Sequence, residues 1–147
     1  MNKIFISIIL MFSIVNAKFS RKDSNNVVID TKTHLIWEDL TTSEAKIFKD
    51  ALTYCKDKTD GGYSSNWRLP NYNELFSLLD YNKIDIKIND KFKDKKSFYW
   101  TSTISKIYYD DNRTLNRAWI IDFSSGYDYT GSIDDQYKVN VRCVHDF

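Results

Sequence analysis

The most reactive side chains of this 147-residue chain are two cysteines, Cys55 and Cys143, and two histidines, His34 and His145. A histidine acts as a catalytic base when a nucleophile lies within its reach, and nothing in the sequence pairs either histidine with one. The N-terminus described below predicts export, and the cysteines of exported proteins form disulfides by default. A zinc or redox pair is the alternative, although the spacing matches no metal motif. We predict a Cys55–Cys143 disulfide, no catalytic residue, no metal and no cofactor.

A second group of chemically distinctive residues is Trp67, Arg68, Pro70 and Glu74, in the segment WRLPNYNEL. Trp67 and Arg68 could bind a sugar, with the ring stacking on it and the cation alongside. The alternative, which we favour, is structural: Trp67 is a buried anchor and Arg68 pairs with a carboxylate. Pro70 prevents an earlier helix start, and Glu74 completes a capping box. We therefore interpret this segment as a corner of the fold.

Aromatic and basic side chains are concentrated late in the chain. Tyrosine offers rigid contact area with a polar tip, which suits both glycans and proteins. The candidate ligand-binding residues are Tyr108, Tyr109, Arg113, Arg117, Tyr127 and Tyr129, with Tyr137 and Lys106 nearby in the sequence. The alternative is that about half of these side chains simply cover a sheet. We predict a ligand-binding surface after Ser97.

Two oxygen-rich segments are candidate calcium sites, residues 110–112 and residues 134–135. Carboxylate and amide oxygens are the ligands that Ca²⁺ prefers, but acidic loops are usually only solvated. Asn112 also begins an Asn-x-Thr acceptor for glycosylation. We predict no functional metal site, and a match to so short an acceptor motif occurs often by chance.

The N-terminal residues have the pattern of an export signal. Lys3 precedes an apolar run over residues 4–15, and Ala17 ends a small-residue cleavage site. An uncleaved anchor is the alternative, although a membrane span needs roughly 20 apolar residues. We predict a signal peptide over residues 1–17 and an exported protein, associated with the membrane only before cleavage.

Composition restricts the class of partner. The formal net charge is +1, and loss of Lys3 with the signal peptide would leave 20 acidic and 20 basic residues. A nucleic-acid-binding protein would carry a basic excess, so we predict no nucleic-acid partner. Residues 18–26 are polar and predict a flexible leader, and residues 27–147 predict one domain.

Hydrophobic spacing predicts two helices in the first half of that domain. A capping box from Thr41 to Glu44 precedes apolar residues at helical spacing, which predicts helix 1 over residues 43–56 with Cys55 on its inner face. Asn71 and Glu74 form a second capping box, and helix 2 follows it.

Alternating apolar residues predict strands before and after the helices. The predicted strands cover residues 27–30, 34–37, 98–103, 117–123, 127–132 and 139–144. Two consecutive helices followed by a meandering sheet indicate an α+β fold. We predict two helices packed on a twisted antiparallel sheet, with one long-range disulfide from the first helix to the last strand.

The order of several short motifs resembles a known family. They cover residues 30–37, 66–70, 74–75, 99–103, 118–126 and 141–144, including the strings NWRLP and VRCV. Together they resemble the Lcl C-terminal domain family of bacterial proteins. The resemblance implies a C-type lectin-like fold, a location outside the cell or at the cell envelope, and, for the family's namesake, binding of a sulfated polysaccharide.

These observations predict a secreted or periplasmic, non-enzymatic binding module. Its partner would be a polysaccharide, or an envelope or extracellular protein, bound by the aromatic surface after Ser97. The alternative is a structural or accessory subunit of a bacterial cell-envelope complex.

Overall fold

The computed structural model describes residues 18–40, 44–59, 61–108 and 114–147. It confirms the α+β class, with two helices, antiparallel sheets and a Cys55–Cys143 disulfide. The strands are divided between two sheets, whereas the sequence analysis assigned them to one. The predicted signal peptide lies outside the described residues. None of the described helices is both long enough and apolar enough to cross a membrane.

The first sheet has four antiparallel strands in the order β1-β2-β3-β7. They are β1 (Phe19–Lys22), β2 (Val27–Asp30), β3 (Leu35–Glu38) and β7 (Val144–Asp146). The predicted hairpin is formed by β2 and β3, and its turn is fixed by Asp30. One carboxylate oxygen of Asp30 accepts the backbone N–H groups of Lys32 and Thr33, at 3.0 and 3.3 Å, as is usual for aspartate in turns.

The structure corrects the prediction of a flexible leader over residues 18–26. Residues Phe19–Lys22 form β1, which pairs with β2, and a short 3-10 helix follows it. Phe19 is buried against Phe92, with their ring centroids 5.6 Å apart. Burial of one large aromatic side chain favours order in an otherwise polar segment, and the sequence analysis gave Phe19 no weight.

Helix α1 (Phe48–Lys56) begins later than predicted. Lys46 is extended, and its backbone exchanges two hydrogen bonds with Val139, of 2.9 and 3.0 Å. This pairing keeps the backbone before the helix out of helical geometry, so Ile47 becomes the N-cap and Glu44 lies outside the helix. The predicted capping partner Thr41 lies outside the described residues. The buried face of α1 carries Cys55 inward, as predicted.

Helix α2 (Tyr72–Phe76) begins with the predicted capping box. The side chain of Asn71 accepts the N–H of Glu74 at 2.9 Å, and Glu74 accepts the N–H of Asn71 at 2.8 Å. Leu75 and Leu78 are buried beneath the helix. The capping box therefore satisfies the backbone donors of Asn71 and Glu74 at the start of the helix.

The second sheet contains β4 (Phe98–Tyr108), β5 (Thr114–Asp122) and β6 (Asp128–Ser132), with β5 in the centre. The register of β4 on β5 shifts between Trp100 and Ile104. At this bulge, the N–H of Ser102 donates to the carbonyl of Pro70 at 2.8 Å. The bulge therefore attaches the start of α2 to the sheet.

The predicted last strand over residues 139–144 is wrong in its extent. Only Val144 continues into β7, whereas Val139 and Asn140 form isolated bridges with Lys46 and Tyr99. This segment passes from one sheet to the other, so its backbone groups find several successive partners instead of one neighbouring strand. Alternation in the sequence cannot distinguish these two situations.

Two apolar cores lie on opposite faces of the sheets. Successive strand residues point to opposite faces, so Trp100 enters the first core and Tyr99 the second. The first core contains the disulfide between Cys55 and Cys143, whose Cα atoms are 5.4 Å apart. The second is built around Trp37 and the residues packed on it.

A buried arginine connects the segments around the second core. Arg142 is 1% exposed, and its guanidinium donates to the carbonyl of Glu38 at 3.1 Å and to a carboxylate oxygen of Asp39 at 3.3 Å. It also donates to the hydroxyl of Tyr99 at 3.0 Å and to the carbonyl of Asp94. Buried charges are stable only when paired and hydrogen-bonded in this way.

Candidate ligand-binding site

The WRLP corner is packed into the fold instead of lying open. Trp67 is buried, and its indole N–H donates to the carbonyl of Tyr63 at 3.3 Å. Arg68 forms two hydrogen bonds of 2.7 Å with the carboxylate of Glu74 and a third of 2.7 Å with Asp146. The hydrogen bonds to Glu74 raise the pKa of Arg68 above its ordinary value. These side chains are therefore engaged in packing and capping, and Trp67 offers no open ring to a sugar.

An open groove with a volume of about 510 Å³ lies on one face of the β4–β5–β6 sheet. Trp100, Ile120 and Tyr129 are directly paired across the three strands, and directly paired residues share a face. We call this site the aromatic groove. Its principal lining residues are Phe98, Arg117, Ile120, Tyr129, Asp135 and Tyr137.

Three half-exposed rings form the walls of the aromatic groove. Phe98, Tyr129 and Tyr137 are 42%, 49% and 53% exposed, so about half of each side chain is available to a ligand. Phe98 and Tyr129 lie 6.4 Å apart with their planes inclined at 60°. The ring of Tyr137 makes an edge-to-face contact with buried Trp100, and the two ring centroids are 6.0 Å apart. The ring of Tyr137 is thus held at its inner side by the core.

Among the described lining residues of the aromatic groove are the cation Arg117 and the anion Asp135. The Nε of Arg117 donates to the hydroxyl of Thr130 at 2.8 Å, and one terminal nitrogen donates to the carbonyl of Thr130. These bonds fix the guanidinium plane and leave further N–H donors on it. Asp135 is exposed and adds a carboxylate acceptor. Donors and acceptors together with aromatic rings are what a hydroxyl-bearing ligand requires.

The floor of the aromatic groove depends on a glycine. A Cβ atom on Gly131 would lie 2.6 Å from the Trp100 ring and 2.8 Å from the Cδ1 of Ile120. Both neighbours are buried, so neither can move without disturbing the core.

We expect Gly131→Ala to lower the free energy of unfolding by about 1–3 kcal/mol, the usual cost of overpacking. Ser132→Ala is the matched control, because it removes an atom from the next residue of the same strand and should change stability little. Chemical denaturation of both variants measures the difference. Equal stabilities would show that the contact between Gly131 and Trp100 is not tight.

The structure brings together some of the predicted ligand-binding residues and separates others. Arg117 and Tyr129 both line the aromatic groove. Tyr108 and Tyr127 are 73% and 70% exposed, but neither lines it. The remaining two predicted residues lie outside those that the structure describes, namely Tyr109 and Arg113.

Sequence reasoning left Phe98 and Asp135 out of the ligand-binding set. Phe98 could have been found, because it lies two residues before Trp100 and therefore shares its face of the strand. Asp135 was noted only as part of an acidic loop. Its position beside the groove depends on the path of the loop after β6, for which the sequence carries no local signal.

The structure places the remaining chemically distinctive residues away from the groove. The ring of His34 makes an edge-to-face contact with Phe147. The ring centroid of His145 lies 4.8 Å from that of Tyr63. Among the described residues, no three or more His, Cys, Asp and Glu side chains are grouped so that they could hold a metal ion. The acidic segment at residues 110–112 and its Asn112 lie outside that part of the chain.

Comparison with protein families gives one match. The family model described as the Lcl C-terminal domain matches residues 26–145. No protein with a curated description matches the chain.

Proposed function

Because the chain belongs to the Lcl C-terminal domain family, we propose that it is a binding module that works outside the cytoplasm. In this proposal it is secreted or periplasmic, has no enzymatic activity, and holds a polysaccharide in the aromatic groove. The disulfide supports a location in an oxidising compartment. The half-exposed rings of Phe98, Tyr129 and Tyr137 are the observation on which the proposal rests.

The chemistry of the aromatic groove suits a sugar chain. The apolar face of a sugar ring packs on an aromatic side chain, while hydroxyl groups at its rim exchange hydrogen bonds with polar side chains. The remaining donors of Arg117 and the carboxylate of Asp135 offer both kinds of partner. The rings of the groove are half-exposed to solvent, which allows a chain to continue beyond the units that are bound.

An array of sulfated and neutral polysaccharides tests the proposal. We expect Tyr129→Ala and Tyr137→Ala each to weaken binding about tenfold, since one well-packed ring contributes about 1 kcal/mol or more. Tyr127→Ala is the matched control, because Tyr127 is an exposed tyrosine outside the groove. Absence of binding to every polysaccharide, or equal loss in all three variants, would contradict the proposal.

A protein partner is the second candidate, and a group of exposed apolar side chains on β4 and β5 favours it. Ile107 and Leu115 are directly paired and exposed, and Ile104 and Tyr108 are exposed beside them. Exposed apolar side chains on a strand pair are typical of contact surfaces. Cross-linking in the native envelope separates the candidates, because one stoichiometric protein partner would indicate an accessory subunit of an envelope complex.

A further inference from the structure

A second pocket, with a volume of about 490 Å³, lies where the start of α2 meets the β4–β5–β6 sheet. We call it the Trp119 pocket. Its lining residues are Asn71, Tyr72, Asn73, Thr103, Trp119 and Asp128. Its volume lies within the range of about 300–1,000 Å³ that is usual for small-ligand sites.

The Trp119 pocket and the aromatic groove lie on opposite faces of the sheet. Trp119 pairs with Thr130, whereas the next residue, Ile120, pairs with Tyr129. Adjacent strand residues point to opposite faces, so Asp128 and Tyr129 also belong to different sites although they are neighbours in β6. A ligand in one site therefore cannot touch the aromatic rings of the other.

The Trp119 pocket is held together by the same contacts that attach the start of α2 to the sheet. The bulge in β4 brings Thr103 to the start of α2, where its hydroxyl accepts the N–H of Tyr72 at 2.9 Å. The ring of Tyr72 makes an edge-to-face contact with Trp119 and stacks on Phe76, with centroid distances of 5.6 and 5.4 Å. Bulges often re-aim side chains beside functional sites, and this one fixes both aromatic walls.

The polar atoms of the Trp119 pocket are only partly used within the protein. The hydroxyl of Tyr72 donates to one oxygen of Asp128 at 2.8 Å. Burial and this hydrogen bond raise the pKa of Tyr72 to about 12, so the hydroxyl remains a donor at neutral pH. Within the ranges that the structure covers, the other oxygen of Asp128, the indole N–H of Trp119 and the side-chain amide of Asn73 have no partner.

From this arrangement we propose that the Trp119 pocket binds an uncharged sugar unit. Trp119 supplies an aromatic surface for the sugar ring, while the free carboxylate oxygen and the amide accept and donate hydrogen bonds to its hydroxyl groups. Among the lining residues that the structure describes, Asp128 is the one with a charge. The carboxylate of Asp128 repels sulfate and carboxylate groups. The guanidinium of Arg117, two residues before Trp119 in β5, is hydrogen-bonded to Thr130, so we expect a neutral sugar to bind here better than an anionic one. The inference is independent of the ligand of the aromatic groove.

Tryptophan fluorescence can report on this pocket selectively. Of the four tryptophans, Trp37, Trp67 and Trp100 are buried, whereas Trp119 is only partly buried. Acrylamide should therefore quench Trp119 preferentially. We expect one or more of maltotriose, cellotriose and chitotriose to protect it saturably, and Trp119→Phe to remove the protected signal. A heparin oligosaccharide should give no protection.

Variants at neighbouring positions identify the face that binds. We expect Asp128→Asn to weaken binding of the protecting sugar at least tenfold, and Asn73→Ala to weaken it about threefold. The difference arises because hydrogen bonds to charged groups contribute more than those between neutral groups. Tyr129→Ala should leave the affinity unchanged. Asn73 is exposed and makes no side-chain hydrogen bond in the described part of the chain, so its variant should fold normally. Circular dichroism checks the folding of all three variants.

Three results would overturn the inference. The first is that none of the neutral probes protects Trp119, and the second is that heparin protects it better than they do. The third is that Tyr129→Ala abolishes binding while Asp128→Asn retains it, which would place the sugar in the aromatic groove. That last result would support the proposed function while rejecting the Trp119 pocket, so the two ideas fail separately.

Discussion

Reduction of the Cys55–Cys143 disulfide is expected to lower the free energy of unfolding by about 4–5 kcal/mol, as the chain-entropy model gives for so long a loop. The bond joins residues 88 positions apart and connects α1 to the segment that enters β7. Without it, the unfolded chain regains the freedom of most of the domain. Thermal unfolding with and without reductant measures the effect.

The control for this prediction is the double variant Cys55→Ala with Cys143→Ala. Reductant should shift the melting temperature of the wild-type protein toward that of the double variant and leave the double variant unchanged. If the wild-type protein melts at the same temperature with and without reductant, the bond contributes nothing to stability.

Arg142→Met is expected to lower the free energy of unfolding by about 3 kcal/mol, because breaking a buried ion pair leaves uncompensated charge in the interior. The guanidinium lies 3.3 Å from an oxygen of Asp39 and 3.5 Å from an oxygen of Asp94. The central carbon of the guanidinium, Cζ, also lies 4.6 Å from the centre of the Phe92 ring. We place the loss at the lower end of the usual range, since Arg21 still pairs with Asp39.

Two comparisons separate lost charge pairing from lost packing at Arg142. Lys106→Met removes an exposed cation and should change stability by less than about 0.5 kcal/mol. Addition of Asp94→Asn to Arg142→Met removes one of the stranded charges and should recover part of the loss in urea denaturation. No recovery would indicate that packing, and not charge, accounts for the effect.

The features that the sequence predicted correctly depend on residues that are close together in the chain, or on residues that have few possible bonding partners. The capping box at Asn71 and Glu74 is a local pattern, and its side chains make the expected hydrogen bonds. The disulfide had one possible pairing, because the chain has two cysteines. In these cases the physical cause and the sequence signal lie in the same few residues.

The features that the sequence analysis missed depend on residues far apart in the chain. Arg142 appears in the sequence as a charged residue between two apolar ones, and its burial requires Asp39 and Asp94 to arrive from other segments. The later start of α1 likewise depends on Val139 pairing with Lys46. Local propensity cannot reveal either contact.

The candidate site shows the same division. The sequence indicated that the late aromatic residues form a surface, and Tyr129 and Arg117 do line one groove. The path of the loop beyond β6 decides that Asp135 joins them. The division of Asp128 and Tyr129 between two faces follows from strand alternation, but only the structure shows that each face carries a pocket.

Ligands are expected to bind on the β4–β5–β6 sheet and not on the sheet that contains β1. Backbone NMR of the ¹⁵N-labelled protein tests this directly, during titration with heparin, dextran and chitin oligosaccharides. A binding oligosaccharide should shift the resonances of Phe98, Tyr129, Gly131 and Tyr137, while those of β1, β2 and β3 stay in place. Shifts confined to the β1-β2-β3-β7 sheet, or no shift with any of the three, would contradict it.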